Sequence, residues 1–257
     1  MIRAAVAVAS AVLVLFIAVP LVALYAHVAP SRLGATLASA PALAALRISL
    51  VTTAASLALT LALGTPLAYA LARSRFPGRG FVDALVDLPI VVPPAVAGLA
   101  LLFAFGTLGA FGPALEALHV RIAFTTFAVV LAQLFVGAPF YVRAARAGFA
   151  AVDPVYEDAS ATLGMGPLRT FARVTVPLAL PALAGGAVLA WARALGEFGA
   201  TIMFAGNLQG VTQTLPLAVY LGLESGDLDL AAALAAVLVT IALAVVVAAR
   251  ILERRAA

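Results

Sequence analysis

Six apolar segments divide the chain, and each is long enough to cross a lipid bilayer as a helix. They run roughly from Ala4 to Val28, Leu43 to Leu71, Ala84 to Gly106, Phe124 to Arg146, Leu178 to Phe204 and Leu230 to Ile251. An α-helix rises about 1.5 Å per residue, so about 20 apolar residues cross a hydrocarbon core of about 30 Å. Charged residues are 10% of the chain, whereas a soluble domain uses about a quarter. The pattern predicts an all-α, polytopic membrane protein with about six transmembrane helices.

The first apolar segment has two interpretations. Arg3 precedes the hydrophobic run and small residues lie between Ala26 and Ala29, which is the layout of a secretory signal peptide. The run is longer than a usual signal-peptide core, and this favours a retained transmembrane helix. Cleavage would leave five spans without inverting any of the others.

The arginines set the predicted orientation. With the N-terminus in the cytoplasm, eleven arginines fall on the cytoplasmic side: Arg3, Arg73, Arg75, Arg79, Arg143, Arg146, Arg169, Arg173, Arg250, Arg254 and Arg255. Three fall on the opposite side, namely Arg32, Arg47 and Arg121, and Arg193 lies inside a span. Because cytoplasmic loops carry an excess of basic residues, both termini and the charged loop between segments four and five are predicted to be cytoplasmic. The basic residues indicate orientation, and no nucleic-acid partner is expected.

The residue inventory argues against catalysis by this chain. Lysine is absent, whereas a phosphate-binding Walker A loop ends in Gly-Lys-Ser or Gly-Lys-Thr. Cysteine is absent too, and His27 and His119 are isolated near the predicted membrane interfaces, so no metal site is expected. An ion-coupled secondary transporter would carry several carboxylates at membrane depth, and the sequence places Glu197 alone there. The inventory favours a transport subunit whose energy comes from another polypeptide.

The charged loop at about residues 151–177 has its own local signals. Asp153 followed by Pro154 is a typical helix start, and Glu157 and Asp158 suit the positive end of a helix. Gly164 and Gly166 then break the helix, and residues 167–176 are predicted to form a second short helix that ends at Pro177. The alternative to a docking site is a solvated connector between two spans.

The spacing within this loop resembles the cytoplasmic EAA loop of permease subunits of ABC importers. That pattern is Glu-Ala-Ala, three residues, Gly, nine residues, Ile, one residue and Leu-Pro. The sequence has Asp158-Ala159-Ser160, three residues, Gly164, nine residues and Val174-Thr175-Val176-Pro177. Every interval matches, with Asp158, Ser160, Val174 and Val176 as substitutions. The resemblance implies coupling to an ATPase subunit through Glu157, Asp158, Ala159, Ser160, Gly164 and Pro177.

Three further stretches are similar to permeases of the molybdate importer family. They are residues 88–98, LPIVVPPAVAG, residues 192–207, ARALGEFGATIMFAGN, and residues 212–220, TQTLPLAVY. The resemblance implies one transmembrane permease domain over residues 1–257, with the type I ABC importer permease fold. The alternatives are a sulfate or thiosulfate permease of the same architecture and, from another class, an ion-coupled secondary anion transporter.

The same resemblance implies an assembly. It predicts a homodimer of this chain, two copies of an ATP-binding cassette subunit that hold the ATP and Mg, and a periplasmic or extracellular substrate-binding protein. No cofactor is expected on this chain. The predicted location is the cytoplasmic (inner) membrane of a prokaryote, with multiple passes through the lipid.

Candidate pathway residues lie in the third and fifth segments. Arg193 and Glu197 are four residues apart and can pair on one helical face, either as a structural ion pair or as part of an oxyanion path. Pro93 and Pro94, with Pro89, interrupt the third segment and free backbone groups at membrane depth. Gly199, with Gly196 and Gly206, indicates either close helix packing or a narrow gate.

Two acidic groups lie near the ends of predicted spans, the first at the cytoplasmic end of the third segment. Asp83 and Asp87 lie one helical turn apart, and we expect them to pair with Arg73, Arg75 or Arg79 of the preceding loop. A second group, Glu224, Asp227 and Asp229, lies before the sixth segment on the predicted external side. It is either a solvated loop or a docking point for a binding protein.

Overall fold

Helices form the regular structure of this protein. The structure is a computed structural model that describes residues 2–28 and 30–256, with side chains described outside 30–32, 37 and 249–256, and these ranges contain no β-strand. The helices are α1 Ile2–His27, α2 Pro30–Leu37, α3 Ala40–Arg73, α4 Arg79–Val91, α5 Pro94–Phe105, α6 Gly112–Ala117, α7 Thr126–Ala151, α8 Pro154–Thr162, α9 Pro167–Thr170, α10 Val176–Leu195, α11 Gly199–Ala205, α12 Leu215–Glu224 and α13 Leu228–Ala256. A π-helical turn, Phe171–Thr175, joins α9 to α10.

Five helical stretches of the described chain are long and apolar enough to cross a membrane. They are Ile2–His27, Ala40–Arg73, Thr126–Ala151, Pro167–Leu195 and Leu228–Ala248. The pair α4 and α5 adds a sixth when it is counted as one broken span. The prediction of an all-α membrane protein with about six spans is confirmed.

The third predicted span is bent sharply at its prolines. The axes of α4 and α5 differ by 119°, and Val92 and Pro93 between them are extended, with ψ of 130° and 134°. A residue before proline is pushed out of the α region, so the consecutive prolines Pro93 and Pro94 stop α4 and let α5 begin in a new direction. Pro89 lies inside α4, so the predicted interruption occurs at Pro93 and Pro94 and not at Pro89.

Helix α7 lies at the centre of the packing. Toward its C-terminal end, Tyr141 and Phe149 are buried with residues of α3 and α10. Toward its N-terminal end, Val129 and Val136 are buried with residues of α5 and α11, including Phe204. A third cluster, around Leu215 of α12, joins α3 to α13. Helix α1 has no buried residue and touches α13, where the Tyr25 hydroxyl donates to the Ala236 carbonyl at 3.2 Å.

The fifth span differs from the prediction at both ends. Its helix begins before Pro177, because α9, the π-helical turn and α10 form one continuous helix from Pro167 to Leu195. The expected second short helix ending at Pro177 is therefore wrong. Pro177 has no N–H to donate, and the amide of Val176 reaches back five residues to the Phe171 carbonyl, so the chain widens into a π turn just before the proline. At the other end, Gly196 to Phe198 separate α10 from α11.

Candidate functional site

Helix α8 begins as the sequence predicted. The Asp153 carboxylate accepts a hydrogen bond from the amide of Val155 at 3.0 Å, and Pro154 occupies the first turn. The six residues assigned to coupling differ in whether they face the protein or the solvent. Glu157 and Ser160 face the protein, while Asp158, Ala159 and Gly164 are exposed, and Pro177 lies in the first turn of α10.

Glu157 is the centre of a small polar cluster beneath α8. Its Oε1 accepts a hydrogen bond from the Thr175 hydroxyl at 2.7 Å and lies 3.4 Å from Nη2 of Arg73. The same Arg73 nitrogen donates to the carbonyl of Val152 at 2.7 Å. Neither Arg73 nor Thr175 was assigned a functional role from the sequence. Thr175 does lie within the matched loop pattern, and Arg73 ends the second apolar segment, so both positions carried a usable signal.

Ser160 holds the turn between α8 and α9. Its hydroxyl lies 2.8 Å from the Thr170 hydroxyl, and its carbonyl accepts from the amide of Met165 at 3.1 Å. Gly164 lies between them with φ of +79°, a left-handed conformation that favours glycine. The predicted helix break at Gly164 is therefore a turn whose backbone geometry favours glycine.

The outer side of this loop is an exposed apolar surface. Its large members are Val155, Tyr156, Leu163 and Leu168, of which Leu163 is 83% and Leu168 81% exposed. Asp158 and Arg169 flank them. A cluster of exposed large apolar side chains with a charged border is typical of a protein interface.

The second polar site lies where α10 ends. Nη1 of Arg193 lies 2.7 Å from Oε2 of Glu197, so the predicted pairing is confirmed. The two residues do not share a helical face as expected, because α10 ends at Leu195 and Glu197 lies in the break before α11. Glu197 is 1% exposed and Arg193 is 30% exposed. The other Glu197 oxygen accepts from the amide of Ala200 at 2.7 Å. The Arg193 side chain therefore stays partly exposed, while the buried Glu197 carboxylate holds the first turn of α11.

The predicted pathway residues of the third and fifth segments lie side by side. A Cβ atom on Gly199 would come 2.8 Å from Cβ of Pro94, and one on Gly98 would come 2.5 Å from the carbonyl oxygen of Ala200. Gly199 and Gly98 thus let α5 and α11 approach closely, as small residues do between membrane helices. Pro93 and Pro94 form the start of α5, next to α11.

Sequence analysis missed a buried polar segment after α11. Thr212, Gln213 and Thr214 are all buried. The Gln213 amide donates to Asn207 at 3.0 Å, and the Ser49 hydroxyl of α3 accepts from the amide of Leu215 at 2.7 Å. The available signal was the polar run 212–214 between two apolar stretches, within the stretch 212–220 that is similar to molybdate permeases.

Two further buried polar atoms face the interior without a hydrogen bond. They are Oε1 of Gln133 in α7 and Oγ1 of Thr201 in α11, and neither has a hydrogen-bond partner among the described residues. A buried polar atom that lacks a partner is costly in a protein interior. Both helices belong to the packing around α5, beside the bent segment.

The expected partners of the acidic pair in α4 are wrong. Asp83 pairs with Arg146, and Asp87 lies 3.5 Å from Arg143, so both carboxylates contact α7. Arg73, which was expected there, is held by Glu157 instead. Sequence proximity favoured the preceding loop, but α4 packs against the C-terminal half of α7, and this contact decides the pairing.

The acidic residues before α13 have local structural roles. The Asp227 carboxylate accepts from the amide of Leu230 at 3.0 Å and caps the start of α13. The Tyr220 hydroxyl donates to Glu224 at 2.6 Å, and this hydrogen bond raises the pKa of the Tyr220 phenol.

Sequence comparison finds relatives among transport system permease proteins. The molybdenum transport system permease protein ModB of Mycobacterium tuberculosis is 47% identical over 233 residues, which cover 91% of this chain and 88% of that protein. The sulfate transport system permease protein CysT of Salmonella typhimurium is 37% identical over 192 residues, covering 75% and 69% of the two chains.

A solved structure gives the fold. A bacterial ABC transporter involved in the import of the acidic polysaccharide alginate has a chain with a TM-score of 0.79 at 17% identity, covering 99% of this chain and 95% of that one. The fold is therefore that of an ABC importer permease. The family model described as "Binding-protein-dependent transport system inner membrane component" matches residues 61–257. The chain belongs to the family of binding-protein-dependent transport system inner membrane components.

Proposed function

We propose that this chain is the permease subunit of an ABC importer that moves molybdate, and tungstate with it, across the cytoplasmic membrane of a prokaryote. The observation that carries the cargo is the 47% identity over 91% of the chain to a permease named for molybdenum. The relative named for sulfate matches at 37% over 75% of the chain. A sulfate or thiosulfate permease is the second candidate, because sulfate is a tetrahedral dianion of the same charge.

Energy enters through loop 151–177. The apolar surface with Leu163 and Leu168 at its tip protrudes from the helices and has the composition of a docking site. We assign this surface to one of two ATPase subunits, which hold ATP and Mg. Closure of the two ATPase subunits displaces α8, and the spans then alternate between inward-open and outward-open arrangements. A homodimer of this chain places the path on its two-fold axis, and a substrate-binding protein delivers the anion from outside.

The path itself passes Arg193 and the start of α5. A guanidinium is permanently charged and presents a planar set of N–H donors that suits an oxyanion. Arg193 keeps 30% of its side chain exposed while Glu197 holds one side of it. Glu197 lowers the attraction of the site, so the anion is recognised and still released. Pro93, Pro94 and Gly199 lie in the narrow contact between α5 and α11 beside this pair.

The arginine distribution supports the orientation. Cytoplasmic loops of membrane proteins carry an excess of basic residues, and the count with the N-terminus inside is eleven arginines against three. This orientation places loop 151–177 in the cytoplasm, where ATP is available.

The proposal is tested by reconstituting the chain with its ATPase subunits and its binding protein in liposomes. ATP hydrolysis and uptake are measured with molybdate, tungstate or sulfate as cargo. Uptake that saturates at low molybdate, with sulfate inactive, is the expected result. Uptake of sulfate alone would overturn the cargo and keep the mechanism, and molybdate uptake without ATP would overturn the ATP-driven mechanism and keep the cargo.

The role of Arg193 has a matched pair of variants. Arg193→Gln removes the charge, whereas Arg193→Lys keeps the charge and loses the planar donor set. We expect molybdate uptake to fall strongly in Arg193→Gln and less in Arg193→Lys. Both variants should still assemble with the ATPase subunits. Unchanged uptake in Arg193→Gln would remove Arg193 from the path.

A further inference from the structure

We propose that Glu157 is a positioning residue that fastens the coupling helix α8 to α3 and to the start of the fifth span, so that these elements move as one body. The inference rests on the proposed function, because the movement is the one that the ATPase subunits impose on α8. It concerns how the movement travels beyond α8, and it assigns that role to a residue on the protein-facing side of the loop.

Glu157 connects α8 to three other segments, two of them directly and the third through Arg73. Oε1 accepts from Thr175 in the π-helical turn at 2.7 Å and lies 3.4 Å from Arg73 at the end of α3. Arg73 in turn donates to the carbonyl of Val152, directly after α7, at 2.7 Å. A displacement of α8 therefore pulls on α3, on the end of α7 and on the helix that continues as α10.

The side chains of the Glu157 cluster are largely shielded from solvent. The side chains of Arg73 and Glu157 are 16% and 20% exposed, and Thr175 is fully buried. The hydrogen bond from Thr175 to the Glu157 carboxylate is short, at 2.7 Å, and partial burial limits the screening by salt of the Arg73–Glu157 ion pair, whose atoms lie 3.4 Å apart. The three groups therefore form a firmer connection than a surface ion pair.

A trio of aromatic rings ties the same elements together beside the cluster. The ring of Tyr69 in α3 packs edge-on against Phe171 of the π-helical turn, with centroids 4.9 Å apart, and against Phe149 of α7 at 5.5 Å. Aromatic pairs prefer edge-to-face or offset geometry, so these contacts stabilise the relative position of α3, α7 and the π-helical turn. The polar cluster around Glu157 therefore connects α8 to elements that these rings already hold together, namely α3, α7 and the π-helical turn.

The neighbouring acid shows that position, and not charge, distinguishes Glu157. Asp158 is one residue further along α8 and is exposed. Its backbone carbonyl accepts from the Thr162 hydroxyl at 2.9 Å, within α8 itself. Two adjacent carboxylates therefore face opposite ways, one toward the helices of this chain and one toward solvent.

The first test compares Glu157→Gln with Asp87→Asn, two changes that each remove one carboxylate charge from an ion pair with an arginine. Glu157→Gln keeps the shape and an acceptor for Thr175 but loses the ionic contact with Arg73. In liposomes with ATPase subunits and binding protein, we expect the Glu157→Gln complex to assemble and hydrolyse ATP while molybdate transported per ATP falls several-fold. An unchanged ratio of transport to hydrolysis would overturn the inference, as would a fall of equal size in Asp87→Asn.

The second test uses the otherwise unchanged chain, so that it does not depend on the folding of a Glu157 variant. The chain has no cysteine, so single cysteines at Ser74, just after α3, and at Thr162, the exposed end of α8, can carry spin labels. Pulsed electron paramagnetic resonance then measures the distance between the labels in nucleotide-free and vanadate-trapped complexes. One distance in both states is expected, and labels that separate between the states would overturn the inference.

The two proposals fail separately. The complex of the unmodified chain reports on the proposed function, because it must import molybdate with ATP. Absence of import there contradicts the cargo or the ATP coupling. Normal import with a moving label pair contradicts the role of Glu157 alone.

Discussion

Glu197 closes the break between α10 and α11 by accepting a hydrogen bond from the backbone amide of Ala200 at 2.7 Å. Its other oxygen lies 2.7 Å from Arg193. One carboxylate thus has a structural contact inward and an electrostatic contact with the proposed path. Substitutions that keep or remove its hydrogen-bonding oxygen separate the two.

Glu197→Gln keeps an acceptor for Ala200, whereas Glu197→Ala leaves that buried amide without a partner. An unsatisfied buried donor costs about 1–3 kcal/mol, so we expect Glu197→Ala to unfold at lower temperature than Glu197→Gln in detergent. In Glu197→Gln, Arg193 is left unpaired, and we expect molybdate to bind more tightly and leave more slowly, with a lower maximal uptake rate. Equal unfolding temperatures for the two variants would contradict the capping role of Glu197.

Gly98→Ala is expected to weaken the contact between α5 and α11. The added Cβ would come 2.5 Å from the Ala200 carbonyl oxygen and 2.8 Å from Cβ of Met203, and overpacking of this kind costs about 1–3 kcal/mol. Gly80→Ala in α4 is the control, because nothing lies within 4 Å of its added Cβ. The unfolding temperature should fall in Gly98→Ala and hold or rise in Gly80→Ala. Equal temperatures would show that α5 and α11 are further apart than described.

Gly164→Ala and Gly166→Ala form a matched pair in loop 151–177. Neither added Cβ meets an atom within 4 Å, but Gly164 has φ of +79° whereas Gly166 has φ of −71°. A left-handed conformation costs an L-residue about 1–2 kcal/mol. We expect faster amide hydrogen exchange around residues 160–165 and weaker stimulation of ATP hydrolysis in Gly164→Ala alone. Identical exchange in the two variants would contradict the turn geometry.

Charge reversal tests the pairing of Asp83 with Arg146. Asp83→Arg places two guanidinium groups together and should loosen α4 from α7, so hydrogen exchange in α4 should rise. Adding Arg146→Asp restores opposite charges and should restore protection. Arg75→Asp is the control, because Arg75 forms no ion pair among the described residues. A response to Arg75→Asp equal to that of Asp83→Arg would favour the pairing expected from the sequence.

Local signals predicted local structure well. Hydropathy located the spans because length and apolarity alone decide whether a helix can cross a bilayer. The Asp153 cap and the contact between Arg193 and Glu197 depend on residues two to four apart, and such contacts can be inferred from spacing.

Features that depend on packing were not predictable in the same way. Asp83 and Asp87 find their partners more than fifty residues away, on α7. The 119° between α4 and α5 follows from what the two arms pack against as well as from Pro93 and Pro94. The polar run Thr212 to Thr214 is buried against the turn before it, where Thr212 donates to the Gly206 carbonyl and the Gln213 side-chain amide donates to Asn207. The next amide, that of Leu215, donates to Ser49 of α3, and nothing in the run itself indicates that partner.

The helix that contains the π-helical turn links the apolar surface of loop 151–177 to the fifth span. Its number of residues therefore decides in which direction that surface points. The helix is continuous from Pro167 through this turn into α10, and each residue of an α-helix turns the chain by about 100° about its axis. Adding or removing one residue of this helix after Leu168 would therefore turn Leu163 and Leu168 toward another side of the molecule. The nine residues between Gly164 and Val174 therefore set the direction in which this surface faces the proposed ATPase subunit, and a one-residue deletion after Leu168 would turn the surface away while keeping its apolar side chains.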